Sequence, residues 1–351
     1  MYFFLVSLAL SALFTFGAIK LFTTIKLFDI PDGGRKLHSR PVPLGGGIAI
    51  FLAFWLVVGY IINFTNLFGK NLHPVDLVGV FFGSLVLLIV GLFDDKQRLS
   101  PVARLTAIAL ACFLAIGGGV GIDKITNPLG GVIGLSGLGA SALVFVWIFG
   151  MTSTVKILDG LDGLAAGITA IGALVIYGVA SGERWHQPDM ALLALIFVGA
   201  ILGFLIFNFQ PAKIFLGEGG GMFLGYILGI LAVISGGKIA TALLVMAVPI
   251  LDLIRVIIVR VRRHQSIFQG DREHIYYWLA DKFKISERTI VLMLYVVAAG
   301  FGSLAWFLQS VGKLVALLFA IALMGVVALA IGRGDNNVKF PISNVKSNPK
   351  S

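Results

Sequence analysis

Lys156-Ile-Leu-Asp159-Gly-Leu-Asp162-Gly-Leu-Ala165 sets two carboxylates three residues apart, between apolar runs at about Phe145 and Ile171. Charge is costly in such surroundings. The three-residue spacing puts Asp159 and Asp162 on one side of a helical turn. Gly160 and Gly163 let a ligand approach the backbone closely. One Asp-Gly pair alone would read as an ordinary polar turn. The doubled pair at the end of a membrane span points to a metal–phosphate site, a proton path or an ion path.

The rest of the chain has the same apolar character. Of its 351 residues, 58% are hydrophobic and 13% are charged, about half the charge of a soluble domain. A bilayer span needs about 20 apolar residues. Eleven runs qualify, with soft ends: 2–22, 45–63, 75–93, 102–120, 139–155, 163–180, 190–208, 220–236, 238–259, 289–308 and 312–332. The expected fold is therefore an all-α polytopic membrane protein. It has one integral domain over 1–332 and a polar, disordered tail over 333–351. The first run lacks a basic leader and a small-residue cleavage signal, so it reads as a retained span. Cys112 is the only cysteine, which rules out an internal disulfide and any cysteine-based metal site.

A net charge of +10 raises the question of nucleic acid, and the distribution of that charge answers it. With the N-terminus outside, only Lys70, Lys124, Arg184, Lys238 and Lys313 fall outside, leaving 22 of the 27 Lys and Arg residues inside. That is the positive-inside bias. The basic excess belongs to topology, anionic lipid and an anionic substrate, and no nucleic-acid partner is expected.

The inside loops carry four further sets of residues. The first loop contains Arg35, Lys36, His38 and Arg40, then Pro41-Val-Pro43-Leu-Gly45-Gly46-Gly47, a rigid approach to span 2 with cations suited to phosphate. Span 3 ends in Asp94-Asp95-Lys96, where adjacent carboxylates suit a general base or a cation held between them. Span 7 is followed by Asn208, Phe215 and then Gly217-Glu218-Gly-Gly-Gly221. There a helix start can receive phosphate and an aromatic ring can stack on a flat base. Span 9 carries Pro249 and Asp252, and the loop beyond it holds Arg272 and His274, a candidate phosphate grip. The glycine-rich stretch 117–138 suggests a short outside hairpin with no chemistry of its own.

In this order, these clusters resemble the polyprenyl-phosphate N-acetylhexosamine-1-phosphate transferase family. That family includes the phospho-N-acetylmuramoyl-pentapeptide transferases. The match covers nearly the whole chain, through Arg35-Lys36-x-His38, Asp94-Asp95-Lys96, Asp159-Gly-x-Asp162-Gly-Leu-Ala and Phe207-Asn208-Phe-x-Pro211-Ala-Lys213-x-Phe215-x-Gly217. The resemblance implies a plasma-membrane enzyme with cytoplasmic catalytic loops. It would move an N-acetylhexosamine 1-phosphate, N-acetylglucosamine 1-phosphate by preference, from a UDP-sugar to a polyprenyl phosphate and release UMP. It implies Asp94 as the base, Asp95 in support, Asp159 near the pyrophosphate, and His274 near phosphate. Asp162, Asn208 and Phe215 would form the nucleobase pocket; Lys36, Lys156 and Arg272 are expected on substrate phosphate by their own charge and position, not by the resemblance. The resemblance further implies Mg²⁺, or Mn²⁺, at Glu218 and Asp159, and leaves room for a homodimer. The competing readings are a secondary transporter and an inactive lipid-binding relative.

Several positions depart from the family pattern. Ser153 and Lys156 stand where it has asparagines, Glu218 stands where it has aspartate, and His274-Ile-Tyr276-Tyr277 replaces a histidine cluster. The longer Glu218 arm calls for a shifted loop, which the glycines after it can allow. Lys156 adds a cation that can pair with Asp159 or with substrate phosphate.

Overall fold

The computed structural model describes residues 1–31, 40–69, 72–127, 130–183, 186–236, 238–266 and 273–335. Lys36, Arg272 and the tail beyond 335 lie outside the described residues. Each of the eleven apolar runs becomes helix. They are α1 (Tyr2–Thr24), α2 (Gly47–Phe64), α3 (Asp76–Gln97), α4 (Pro101–Gly117), α5 (Gly137–Leu158), α6 (Leu164–Ser181), α7 (Pro188–Asn208) and α8 (Gly217–Ile234). The pair α9 (Ile239–Val245) and α10 (Ala247–Arg262) follows, and α12 (Glu287–Phe307) and α13 (Ser310–Asp335) complete the set. The chain is a multi-pass membrane protein. Nine described helices are long and apolar enough to cross a bilayer, and the α9–α10 pair makes a tenth if it counts as one bent span.

Three features differ from the expectation. The ninth run is not a single span, because α9 and α10 meet at 75°. Pro249 explains the break: it lacks an N–H, and its ring crowds the carbonyl four residues back, at Val245, where α9 ends. A short helix, α11 (Ile275–Phe283), forms in the last inside loop. Helix α13 runs on to Asp335, into the segment expected to be tail. The hairpin expected within 117–138 is present, as β3 (Lys124–Thr126) antiparallel to β4 (Val132–Gly134). A second antiparallel pair, β1 (Phe28–Asp29) with β2 (Val42–Pro43), closes the base of the first loop.

Helix α8 is the axis of the bundle, and nearly every residue on all its faces is buried. Hydrocarbon gives apolar helices little reason to associate, so close backbone approach and interhelical hydrogen bonds hold them together. A Cβ added at Gly91 of α3 would lie 2.0 Å from Gly219 Cα, and one at Gly47 of α2 would lie 2.2 Å from Gly220 Cα. Gly219, Gly220 and Gly221 are thus helical seats for neighbouring backbones, not the permissive loop expected from sequence. Tyr226 Oη donates to Ala111 O at 3.1 Å, and Trp147 Nε1 donates to Gly229 O at 3.0 Å.

Helix α1 shows the same logic at the rim. It buries a narrow stripe of Ser7, Ser11, Thr15, Ala18 and Phe22 against the bundle. Ser7 and Ser11 donate their hydroxyls to the carbonyls of Ile196 and Ala200 in α7, at 2.9 and 2.6 Å. At the end of the bundle where α8 finishes, Lys238 Nζ donates to Gln187 Oε1 at 2.5 Å, and Lys313 Nζ donates to Thr241 Oγ1 at 2.9 Å.

Candidate active site

The carboxylates gather at the opposite end, where α3 and α5 finish and α8 begins. Their partners differ, and the differences sort their roles. Asp94 is buried and turned into the α3–α4 corner. Its Oδ1 accepts from Leu99 N at 2.7 Å, and its Oδ2 lies 3.0 Å from Arg104 Nε. Asp95 caps the start of α8, its Oδ1 accepting from Glu218 N at 3.0 Å. A carboxylate there is favoured by the orphan N–H groups and the helix dipole. Asp95 Oδ2 is buried and has no hydrogen-bond partner among the described residues.

Lys156 rises from the last turn of α5 and brings Nζ to 2.5 Å from Glu218 Oε2. The ammonium, expected on Asp159 or on substrate phosphate, pairs here with Glu218. Asp159 closes α5 and is half-buried. Burial pushes its carboxyl up to about 8, aided by the charges of Glu218, Asp162 and Asp95 and opposed by Lys156.

Asp162 performs a joining task, since its Oδ2 accepts from Ala212 N at 2.9 Å and so ties the α5–α6 loop to the α7–α8 loop. Asn208, the last residue of α7, donates Nδ2 to Ile214 O at 3.0 Å across the same loop. Its Oδ1 is buried without a hydrogen-bond partner among the described residues. The backbone of Phe215 is pinned on both sides: its N–H donates to Pro43 O and its carbonyl accepts from Gly46 N, each at 2.9 Å. Asp162, Asn208 and Phe215 thus frame one loop, 209–216, facing the end of the first loop.

His274 enters from the α10–α11 side. Its Nδ1 lies 2.8 Å from Asp252 Oδ2. Asp252 also accepts from Ile275 N, at 3.2 Å to each oxygen, and from Arg255 Nε at 3.0 Å. The same carboxylate thus starts α11 and fixes the imidazole. Glu273 holds Arg260 and Arg263, at 3.2 Å each. Tyr276 and Tyr277, which follow His274, are buried spacers. Tyr276 stacks on His274 with ring centres 5.4 Å apart. It also packs so close to Gly160 that an added Cβ there would meet its hydroxyl at 2.3 Å. Tyr277 Oη donates to Gly160 O at 3.3 Å.

Beside this corner lies a narrow crevice of about 20 Å³, walled by Ile157, Leu158, Ile168, Val248 and Leu294, with His274 and Asp252 at its polar end.

The structure thus joins Asp94, Asp95, Lys156, Asp159 and Glu218 in one group. Asp162, Asn208 and Phe215 form a second group beside it. His274 reaches the first group through Tyr276 and Gly160. Sequence reasoning noted Asp252 but gave it no role. Its signal was a carboxylate inside an apolar helix with Arg255 three residues on. Arg104 carried no signal, being one cation inside an apolar run.

Magnesium requires several oxygens in near-octahedral geometry. The donors here do not fit that requirement as they stand. Glu218 is engaged by an ammonium, and no group of three or more His, Cys, Asp or Glu residues among those described is placed to hold a metal ion.

Residues 77–236 match the model of glycosyl transferase family 4. The chain is 30% identical over 346 residues to a probable undecaprenyl-phosphate N-acetylglucosaminyl 1-phosphate transferase of Bacillus subtilis, covering 96% of this chain and 93% of that protein. It is 31% identical to a decaprenyl-phosphate N-acetylglucosaminephosphotransferase of Mycobacterium tuberculosis, covering 86% and 82% of the two chains. A phospho-N-acetylmuramoyl-pentapeptide-transferase of Streptococcus thermophilus is 29% identical over a shorter span, 57% of this chain and 63% of that protein.

Proposed function

Since this chain belongs to glycosyl transferase family 4, we propose that it transfers an N-acetylhexosamine 1-phosphate from a nucleotide diphosphate sugar to a polyprenyl phosphate. N-acetylglucosamine 1-phosphate is the favoured group and UDP the favoured carrier. The products are a polyprenyl diphosphate sugar and UMP. The observation that carries this reading is the convergence of Asp94, Asp95, Asp159, Glu218 and Lys156 at one end of an apolar bundle.

In the reaction, an oxygen of the acceptor phosphate attacks the phosphorus that carries the sugar. The phosphoanhydride bond breaks, and UMP leaves with the bonding electrons. Little covalent chemistry falls to the protein, so its work is positioning and charge stabilisation. Asp94 and Asp95 are the candidates to take the acceptor's proton. Asp95 is favoured because Asp94 is held at both oxygens, by the charge of Arg104 and by Leu99 N, whereas Asp95 is held at Oδ1, by Glu218 N. The 209–216 loop, with Asn208 at one edge and Phe215 at the other, suits a nucleobase, and Asp162 keeps that loop in place. His274, with Nδ1 turned to Asp252, presents Nε2 as the group for phosphate. The site faces the cytoplasm of the plasma membrane.

Clustering at one end of the bundle disfavours a transporter, whose carboxylates would lie at mid-depth. The test incubates the purified protein with a panel of labelled nucleotide sugars and polyprenyl phosphate. Labelled lipid with matching UMP release is expected. Lipid binding without turnover would leave a lipid-binding relative instead.

A further inference from the structure

We infer that the ammonium of Lys156 is the resident cation of the phosphate site, so that transfer proceeds without a bound divalent metal. The inference rests on the phosphotransfer reading above. It starts from where the ammonium stands. Lys156 Nζ lies 2.5 Å from Glu218 Oε2, on a side chain only 16% exposed. Its charge also acts on Asp94, Asp95 and Asp159. Lys156 therefore sits among four carboxylates at the mouth of the first turn of α8, with Arg104 reaching Asp94 alone from the far side.

The backbone is shaped for this placement. Gly221 lets α5 approach so closely that a Cβ there would lie 3.3 Å from Lys156 Cα. The lysine is thereby anchored one turn into the helix whose N-terminus it serves. An ion on Glu218 Oε2 at about 2.1 Å would stand within about 4.6 Å of Nζ. Like charges repel strongly at that range in a partly desolvated site, so ion and ammonium compete for one place.

What remains is a site with its positive charge built in. Lys156 supplies a point charge with three donors. The start of α8 adds partial positive charge. Together they face the place where phosphate oxygens gain charge as the phosphoanhydride breaks. Lysine gives up no proton in the step; the acceptor's proton goes to the Asp94–Asp95 pair.

The test uses the full-length protein in detergent or nanodiscs. Rates of lipid labelling from UDP-N-acetylglucosamine are measured with excess chelator and with millimolar Mg²⁺. Binding of Mn²⁺ is titrated separately by electron paramagnetic resonance. Wild type is expected to keep at least half its rate in chelator and to bind no stoichiometric Mn²⁺. Lys156→Asn is expected to lose about a hundredfold in chelator, to recover in part with Mg²⁺, and to bind one Mn²⁺ per chain. Lys156→Arg should retain measurable chelator-resistant activity. Wild type that is inactive in chelator and restored by Mg²⁺, or that binds one Mn²⁺, overturns the inference while upholding the transferase. Absence of labelled lipid under every cation condition overturns the transferase reading instead, and the Mn²⁺ titration then decides the cation alone. If Lys156→Asn fails to fold, the two wild-type measurements suffice.

Discussion

Replacing Gly91 by alanine should damage catalysis far more than its size suggests. The added Cβ would stand 2.0 Å from Gly219 Cα and 2.1 Å from Gly219 N. Carbon atoms pack comfortably at about 3.5 Å, so α3 and α8 must part by about 1.5 Å there. Both neighbours are backbone, and no side chain can swing aside. Asp94 and Asp95 lie three and four residues beyond Gly91 on the same helical face, and Glu218 adjoins Gly219. The 3.0 Å bond from Glu218 N to Asp95 would lengthen past hydrogen-bonding range. Overpacking costs about 1–3 kcal/mol, and the lost bond to a charged group adds about 1.5–3 kcal/mol. A displacement of an ångström or more in a phosphoryl-transfer site lowers turnover by about a hundredfold. The assay is initial-rate lipid labelling. Unfolding is followed with a thiol-reactive dye that reports exposure of Cys112, the buried single cysteine. Gly59→Ala is the control, because nothing lies within 4 Å of a Cβ at that helical position. It should gain about 0.5–1 kcal/mol with normal turnover. A Gly91→Ala protein within threefold of the wild-type rate would refute the claim that backbone contact sets the carboxylate geometry.

Asp95→Asn should lower turnover at least about a hundredfold, as expected for loss of a general base, and more than Asp94→Asn does. The reverse order, measured by the same labelling assay, would return the base role to Asp94. Asp252→Asn should destabilise the protein by about 3–5 kcal/mol, because it leaves Arg255 without its buried partner. Turnover should fall with it as His274 loses its Nδ1 contact, and an unchanged melting temperature would argue against this network. Phe215→Ala should raise KM for the nucleotide sugar more than it lowers kcat, since stacking acts on ground and transition states alike. A pure kcat defect would remove the base from that pocket. Reporter fusions after Lys124 and after Lys282 should report opposite sides of the membrane, and one shared side would break the topology.

Much of the fold was legible because hydrocarbon imposes a simple length rule, and each of the eleven runs appears as helix. The break at Met246 was less so, because Pro249 alone does not say whether a helix kinks or ends. Helix α11 was missed because its formation depends on Asp252, which is distant in sequence from Ile275. The catalytic corner was legible as a set of motifs, while its pairings were not. Spacing suggested Lys156 with Asp159, but α8 meets α5 through Gly221 and brings Glu218 nearer. Glycines 219–221 were read for loop freedom, whereas their role is tertiary and appears only once α2, α3 and α5 stand around them. Tyr276 and Tyr277 looked like lost chemistry; packed on Gly160, they brace the loop that holds Asp159.

The serine stripe of α1 bears on how the chain is made. The hydroxyls of Ser7 and Ser11 find their carbonyl partners 189 residues later, in α7. At about 5–20 residues per second, the first helix waits roughly ten to forty seconds before its partner leaves the ribosome. During that interval it must survive in lipid alone. Its serines can bond their own helix meanwhile, as Thr15 does to Ser11 O at 2.7 Å. Docking of α1 is therefore a late event of biosynthesis. A chain cut between α1 and α2 and expressed as two pieces should reassemble in the membrane, with Ser7→Val and Ser11→Val together preventing it.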